Sequence, residues 1–224
     1  RQVHPAQDRV KVVLRAKDAG QQLLDLAVVL VQQGQPRRGA LLLVAALTLL
    51  DEKHPLGGML LSADDKGLTG LWFDGQKYFA CGLAESEACE EQENSILTEA
   101  KRWLDIYFTG KAPDFTPPLH PIGSAFRRSV WEILLQIPYG QTTTYGEIAR
   151  QLSKKQGLER MSAQAVGGAV GHNEISIIIP CHRVVGADGS LTGYAGGIGK
   201  KETLLELEHT DMSRFFVPKK GTAL

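Results

Sequence analysis

The stretch Ile175–Gly186, ISIIIPCHRVVG, sets a cysteine and a histidine side by side at the end of an apolar run. Ile175 to Ile179 reads as a buried strand that runs into a Pro-Cys-His-Arg turn. A thiol is a nucleophile only as its thiolate, and with a free pKa of about 8.5 it needs a neighbouring base or positive charge. His182 follows Cys181 immediately. On an extended chain adjacent side chains point to opposite sides, so a direct bond is awkward there. In a turn, or through a bridging water, the pair can exchange a proton. The histidine then needs a carboxylate to fix its tautomer. Glu202, Glu206 and Glu208, on a helix expected over about 200–209, are candidates that spacing alone does not separate. The competing reading is structural: a cysteine at the end of an apolar strand is ordinarily a small core residue.

N-terminal to this stretch the chain reads as helices. Phe126 to Gln136 is amphipathic, with Phe126, Val130, Ile133 and Leu134 on one side. Thr144 followed by Glu147 is a capping box, which predicts a helix to about Leu152. Ser162 is a second N-cap, and Ala163 to Val170 behind it is rich in alanine and glycine. Such a helix is weak by propensity but lets another backbone, or a rigid polyanion, approach closely. Two short helices joined by a turn are the outline of a helix-turn-helix.

Upstream, Thr109–Ser124 holds four prolines and two glycines and reads as a linker. Before it, 94–108 carries Ile96, Leu97, Ala100, Trp103, Leu104 and Tyr107 at helical spacing. Residues 46–79 show short apolar runs broken by His-Pro, Gly-Gly and Asp-Gly, the pattern of three or more antiparallel strands. Two short helices are expected between Val10 and Gln33, before the turn-like Gln33–Gly39. The expected division is an extension over 1–45, a sheet-and-helix domain with linker over 46–124, a catalytic domain over 125–212 and a tail over 213–224.

Across the 224 residues, 25 basic and 25 acidic side chains cancel, so overall charge advertises no polyanionic partner. Any nucleic-acid face must be built locally, and Arg127, Arg128, Arg150, Lys154, Lys155, Arg160 and Arg183 are available for it. Three cysteines, Cys81, Cys89 and Cys181, make no disulfide framework, which suits a reducing compartment. No stretch reads as a signal peptide. The longest apolar run, Ala40–Leu50, falls well short of the roughly 20 residues a membrane span needs. The expectation is a soluble, cytoplasmic protein.

The text from Thr144 through AVGGAVGHNEISIIIPCHRVVGADGSLTGYAGGIGKKETLLELE resembles the O6-alkylguanine-DNA alkyltransferases, the methylated-DNA–protein-cysteine methyltransferases. The likeness extends over about 55–208. It implies an α+β protein: a small antiparallel sheet-plus-helix domain of ribonuclease-H-like form, then a winged helix-turn-helix. It implies a suicide DNA-repair methyltransferase that flips a damaged guanine out of duplex DNA, since chemistry inside a paired stack requires extrusion. The O6-alkyl group, with O4-alkylthymine a second candidate substrate, would pass irreversibly to Cys181. His182 matches the base acting through water, and Glu208 matches the carboxylate that orients it. Asn173 matches a brace beside the cysteine, and Tyr145 a hydroxyl on the flipped base. Tyr194 and Ala195 match the wall of the alkyl pocket, the Val184 carbonyl an acceptor for the base, and Lys201 a nearby lysine. Gln164, Ala165, Gly167 and Gly168 match the helix that enters the minor groove, with Arg127 and Arg128 against phosphate. No cofactor and no metal are implied, because Cys81 and Cys89 do not supply the zinc set of some members. The partner is double-stranded DNA carrying O6-alkylguanine, bound by a monomer, with no membrane.

Two positions depart from the pattern. Gln164 stands where many members have arginine, and it lacks that side chain's charge and stacking plane. Glu174 follows Asn173 where proline is usual, and a carboxylate facing DNA would repel phosphate. Two other function classes fit parts of the sequence. A lesion-binding regulator would share the fold but not the acceptor cysteine, and a cysteine hydrolase would turn over repeatedly.

Overall fold

A computed structural model describes residues 26–27, 42–47, 56–80, 89–90 and 95–219. Most of 1–45 and Cys81 lie outside them. Within the stretch read as two short helices, Leu26–Ala27 forms a strand, β1, because Leu47 and Ala46 offer it a ladder. The expected domain boundary at 46 falls inside β2 (Leu42–Leu47), whose apolar run pairs along its length with β3 (Met59–Ala63). β3 in turn pairs antiparallel with β4 (Leu68–Phe73). β5 (Cys89–Glu90) lies parallel against the start of β2.

Strands β3 and β4 are buried at every residue, because α1 (Ser95–Tyr107) packs on the sheet and the C-terminal half closes over the rest. Leu97, Ala100, Trp103, Leu104 and Tyr107 form the buried stripe of α1, as its spacing predicts. The two polar groups that face each other in this pair, Ser62 and Thr69, satisfy one another at 2.8 Å.

The free edge of β4 does not meet water. Leu68 pairs with the linker through Pro118 and His120, and Leu71 pairs with the backbone of Glu174 and Ser176. Covering an edge strand in this way removes a site of unwanted pairing. It also fastens the two halves of the chain together just ahead of Cys181.

The C-terminal half holds α2 (Ala125–Leu134), the two-residue strand β6 (Thr143–Thr144), α3 (Tyr145–Gln156) and α4 (Ala163–Gly171). α3 and α4 have the starts their sequence announces, and α2 has a cap of the same kind. Ser124, Thr144 and Ser162 accept from the amides of Arg127, Glu147 and Ala165. Gly157, at φ +65°, closes α3 in the left-handed conformation. The glycine-rich α4 is held by packing: Val166, Ala169 and Val170 are buried, and Trp131 Nε1 donates to the Ala169 carbonyl at 2.9 Å.

Beyond it, β7 (Val184–Val185) pairs parallel with β6, and α5 spans Ile198–Leu207. Gly186 to Leu191 forms the wing. Residues expected as tail join it, since Leu191 N–H donates to Phe216 and Phe216 N–H to Gly189. No helix among the described residues is long and apolar enough to cross a membrane.

The apolar run 175–179 is not the strand it was read as. Ile175 makes one bridge to β4, and the chain then turns back on itself, with Ile177 at φ +66°. Ile178 N–H returns to Ser176 and Ile179 N–H to Ile175. A nearly unbroken apolar run, interrupted here by Ser176, signals burial on all sides, and a turn wedged between two domains is buried as completely as a central strand. A β-branched residue at positive φ costs on the order of 1–3 kcal/mol, so the surrounding packing must enforce it.

Candidate active site

Cys181, His182 and Arg183 form one 3-10 turn in which all three residues are buried. Consecutive residues there diverge, so Cys181 and His182 look to different partners. Asn173 Nδ2 donates to Cys181 Sγ at 3.1 Å. The same amide reaches the carbonyls of Ile175 and Ile179, and Asn173 Oδ1 accepts from Ile175 N–H. Asn173 thus staples the tight turn and touches the sulfur at once.

His182 Nε2 lies 2.7 Å from Glu208 Oε1. A carboxylate only accepts, so this nitrogen carries the proton and Nδ1 keeps its lone pair. Nδ1 is buried and meets no protein partner. Of the three glutamates that spacing left open, the fold brings Glu208 to the histidine.

Glu208 is held from four sides. Arg183 Nε donates to Oε2 at 2.8 Å and Nη2 to Oε1 at 2.9 Å, while Nη1 binds the Ile137 carbonyl at 2.6 Å. Tyr107 Oη donates to Oε1 at 2.8 Å, and the Gly140 amide to Oε2 at 3.1 Å. Only glycine fits at 140: φ is +72°, and a Cβ would lie 2.7 Å from the Glu208 carbonyl oxygen. Burial drives the Glu208 carboxyl up, but His182 and Arg183 overcome it and hold the group down at about 2.

Arg183 was counted among residues for a phosphate face. It is a buried partner of Glu208 instead, because the turn points it inward. Tyr107 was read only as part of an apolar helix face, and nothing local distinguishes a core tyrosine from one whose hydroxyl reaches 101 residues along the chain.

Burial raises the Cys181 thiol above its usual range, while the Asn173 amide, the Lys201 charge and nearby backbone amides pull it back. Burial also lowers the His182 pKa, outweighing Glu208, with Arg183 and Lys201 pushing the same way. At rest the site therefore holds a neutral thiol and a neutral imidazole. Lys201 Nζ, fully buried, donates to the carbonyls of Val184 at 2.5 Å and Thr192 at 2.7 Å, and burial draws its pKa down to about 8. The Val184 carbonyl, expected to face the base, is thus already engaged by Lys201.

Tyr145, the first residue of α3, donates to the Thr192 carbonyl at 3.1 Å, and burial pushes its pKa up to about 12. Its ring lies 3.7 Å from where a Cβ of Gly167 would be. Tyr194 is buried with its ring edge-on to His182 at 6.4 Å. Ala195 is half-buried, and its carbonyl accepts from Lys77 N–H.

Cys181, His182, Glu208, Asn173, Tyr145, Tyr194 and Lys201 therefore converge. Gln164, Ala165 and Gly168 form an exposed strip on α4, with nothing within 4 Å of a Cβ at Gly168. Arg128 is exposed on α2 and Arg127 half-buried beside it. Arg150 is tied to Glu147, and Lys155 to Glu132 at 2.9 Å. Glu174 is half-buried, and burial raises its pKa to about 7 against the pull of Arg127. The arrangement can deliver a thiolate to an electrophilic carbon, move one proton through a histidine, and offer a tyrosine hydroxyl to a leaving group.

Comparison with known proteins gives the same picture. Residues 125–210 match the family described as "6-O-methylguanine DNA methyltransferase, DNA binding domain", and residues 48–121 match its ribonuclease-like domain. The methylated-DNA–protein-cysteine methyltransferase of Methanosarcina barkeri is 44% identical over 161 residues, covering 71% of this chain and 96% of that protein. The Mycobacterium leprae protein of the same name is 43% identical over 154 residues, 69% of this chain and 87% of that one. The crystal structure of Mycobacterium tuberculosis OGT in complex with DNA aligns at 37% identity with a TM-score of 0.59, covering 78% of this chain and 94% of that one.

Proposed function

The chain belongs to the 6-O-methylguanine DNA methyltransferase family and is a DNA-repair methyltransferase of that class; from that premise we propose that Cys181 is the alkyl acceptor and that it reacts once. The reading extends to duplex DNA carrying O6-alkylguanine, bound through the exposed strip of α4 by a monomer, with the lesion turned out of the stack. An atom inside a base pair is out of reach of a buried sulfur, and extrusion costs a few kcal/mol, least where pairing is already damaged.

The thiol proton passes through a water to His182 Nδ1, the nitrogen left free by the bond to Glu208. The thiolate attacks the alkyl carbon. An S–C bond forms, the C–O6 bond breaks, and the electron pair stays on the base. The Tyr145 hydroxyl, released from Thr192, hydrogen bonds to the base as negative charge develops there. The proton taken from sulfur returns to the base, which leaves as guanine. The thioether has no proton to lose and no route back.

The observation that carries this reading is the pairing of two arrangements in one turn: a sulfur bonded by Asn173, and a histidine whose tautomer Glu208 fixes. The test is intact-protein mass spectrometry after incubation with excess O6-methylguanine duplex. One methyl is expected on the wild type, located at Cys181, with one equivalent of lesion repaired. Cys181→Ala should gain none. Repair of many equivalents, or a methyl elsewhere, would overturn the assignment.

A further inference from the structure

The loop Thr192–Gly197 carries Tyr194 and receives Tyr145, two tyrosines of the candidate site. Thr192 receives the Tyr145 hydroxyl, and Tyr194 stands edge-on to His182. The catalytic half holds its first residue, where the Tyr145 hydroxyl and Lys201 Nζ both donate to the Thr192 carbonyl, but Tyr194 to Gly197 has less to fix it. The loop contains three glycines, two of them, Gly193 and Gly197, at positive φ. Its local ties are Gly197 N–H to the Tyr194 carbonyl and Lys201 N–H to the Gly197 carbonyl. A loop so rich in glycine loses more entropy on ordering than any other, and it needs an external support.

That support comes from the other domain. The turn leaving β4, Phe73–Tyr78, meets the loop from behind. Lys77 N–H donates to the Ala195 carbonyl at 3.0 Å. The Phe73 ring stands edge-on to Tyr194 at 6.4 Å, and Gly196 is pressed so close that a Cβ would meet Tyr194 at 2.8 Å and Phe73 at 3.0 Å. Gln76 Oε1 fixes the turn by accepting from Phe73 N–H at 2.9 Å, and it also takes the hydroxyl of Ser176 at 3.2 Å. Tyr78 stacks on His172 at the end of α4, 4.1 Å between ring centres. The turn is therefore clamped to the catalytic half at three places, and the loop rests on it.

We propose that the Phe73–Tyr78 turn is a positioning element for the alkyl pocket: by bracing Tyr194–Gly197 from the first domain, it limits how large an alkyl group Cys181 can accept. The proposal rests on the alkyl-transfer reading above. Its specific content is that the room beside the sulfur is set across the domain interface, by a backbone amide at Lys77, and not by the catalytic half alone.

The experiment compares single-turnover rates on O6-methylguanine and O6-benzylguanine duplexes for wild type, Lys77→Pro and Lys77→Ala. Proline deletes the donor amide at an exposed position, and alanine keeps it. A hydrogen bond worth about 1 kcal/mol net corresponds to roughly a fivefold change in population. The benzyl-to-methyl rate ratio should rise about fivefold in Lys77→Pro and stay within twofold of wild type in Lys77→Ala. If wild type is inert to benzyl, the expected result is measurable benzyl transfer in Lys77→Pro only. Should Lys77→Pro fail to fold, Tyr78→Ala, which removes the stack on His172 from the same clamp, must raise the ratio instead. An unchanged ratio in a folded Lys77→Pro that still accepts methyl, or an equal change in Lys77→Ala, would overturn the proposal. Loss of methyl transfer in wild type would count against the proposed function, and is a separate result.

Discussion

Arg183→Met should be among the most damaging single changes in the catalytic half, although arginine is usually a surface residue. Its guanidinium makes two hydrogen bonds to the fully buried carboxylate of Glu208 and one to the Ile137 carbonyl. Removing one member of a buried pair costs about 3–5 kcal/mol, mostly because the other charge stays behind. Here Glu208 keeps three donors, from His182, Tyr107 and Gly140. That places the expected loss near the lower end, about 3 kcal/mol, with the bare Ile137 carbonyl included.

Urea unfolding monitored by fluorescence measures it. Glu208→Gln in the Arg183→Met background removes the stranded charge, so the double variant should recover at least about 1 kcal/mol relative to additivity. There is a chemical signature as well. Arg183 holds the His182 pKa down, so its loss should raise that pKa and move the acid limb of the pH–rate profile to higher pH. A loss below about 1 kcal/mol, or additive behaviour in the double variant, would refute the claim that Glu208 is charged and depends on Arg183.

Four further outcomes are expected. The Glu208 carboxyl is depressed in the fold, so its stabilisation is complete above the unfolded carboxyl value of about 4.5 and lost as pH falls from there toward about 2; acid titration of wild type against Glu208→Gln should show the gap closing over that window. Glu174 runs the other way: its raised pKa of about 7 means an ionised carboxylate destabilises the fold at higher pH, and because water screening of this half-buried group cuts the linkage value of roughly 3 kcal/mol, Glu174→Gln should gain about 1–2 kcal/mol at pH 8, fading as pH falls below 7 and gone below about 4.5. Tyr145→Phe should slow methyl transfer about 100-fold in a single-turnover assay while leaving DNA affinity, read by anisotropy, within about threefold. Arg128→Ala should weaken DNA binding on every sequence alike and reduce the slope of log K against log salt by about 1, and an unchanged slope would remove this exposed side chain from the phosphate face.

What the sequence made legible was local. The caps at Thr144 and Ser162, the apolar face of α1, and the neighbouring Cys181 and His182 all depend on residues within one or two turns of each other. What stayed hidden was the pairing of distant groups. Glu202, Glu206 and Glu208 are alike to any spacing rule, and only the end of α5, where the chain breaks helical form, aims the last of them at His182. Tyr107 and Arg183 carry no mark of their bond to it. The run 175–179 shows the same limit in the fold. Apolar density reports that a segment is buried, but Ile177 at positive φ is decided by β4 and Asn173 on either side.

If Cys181 reacts once, as proposed, the resting electrostatics bear on why such a protein would bury its nucleophile. A thiolate held permanently at an accessible site would meet oxidants and adventitious electrophiles long before a rare lesion arrived. Burial here keeps Cys181 protonated and His182 neutral, while Glu208 stays ionised and leaves Nδ1 ready to take a proton. The components of activation are in place, but the charge separation is unfavourable until something lowers its cost. On the proposed mechanism an everted base would do so, by supplying the electrophilic carbon and drawing the Tyr145 hydroxyl to a developing anion. On this account the free enzyme should react slowly with iodoacetamide at neutral pH, and Asn173→Ala slower still, since that variant loses the amide hydrogen bond that pulls the thiol's pKa down. Alkylation timed by mass spectrometry against free cysteine measures both. A wild-type thiol that reacts faster than free cysteine would mean the thiolate is already formed at rest, and the inert resting state argued here would be wrong.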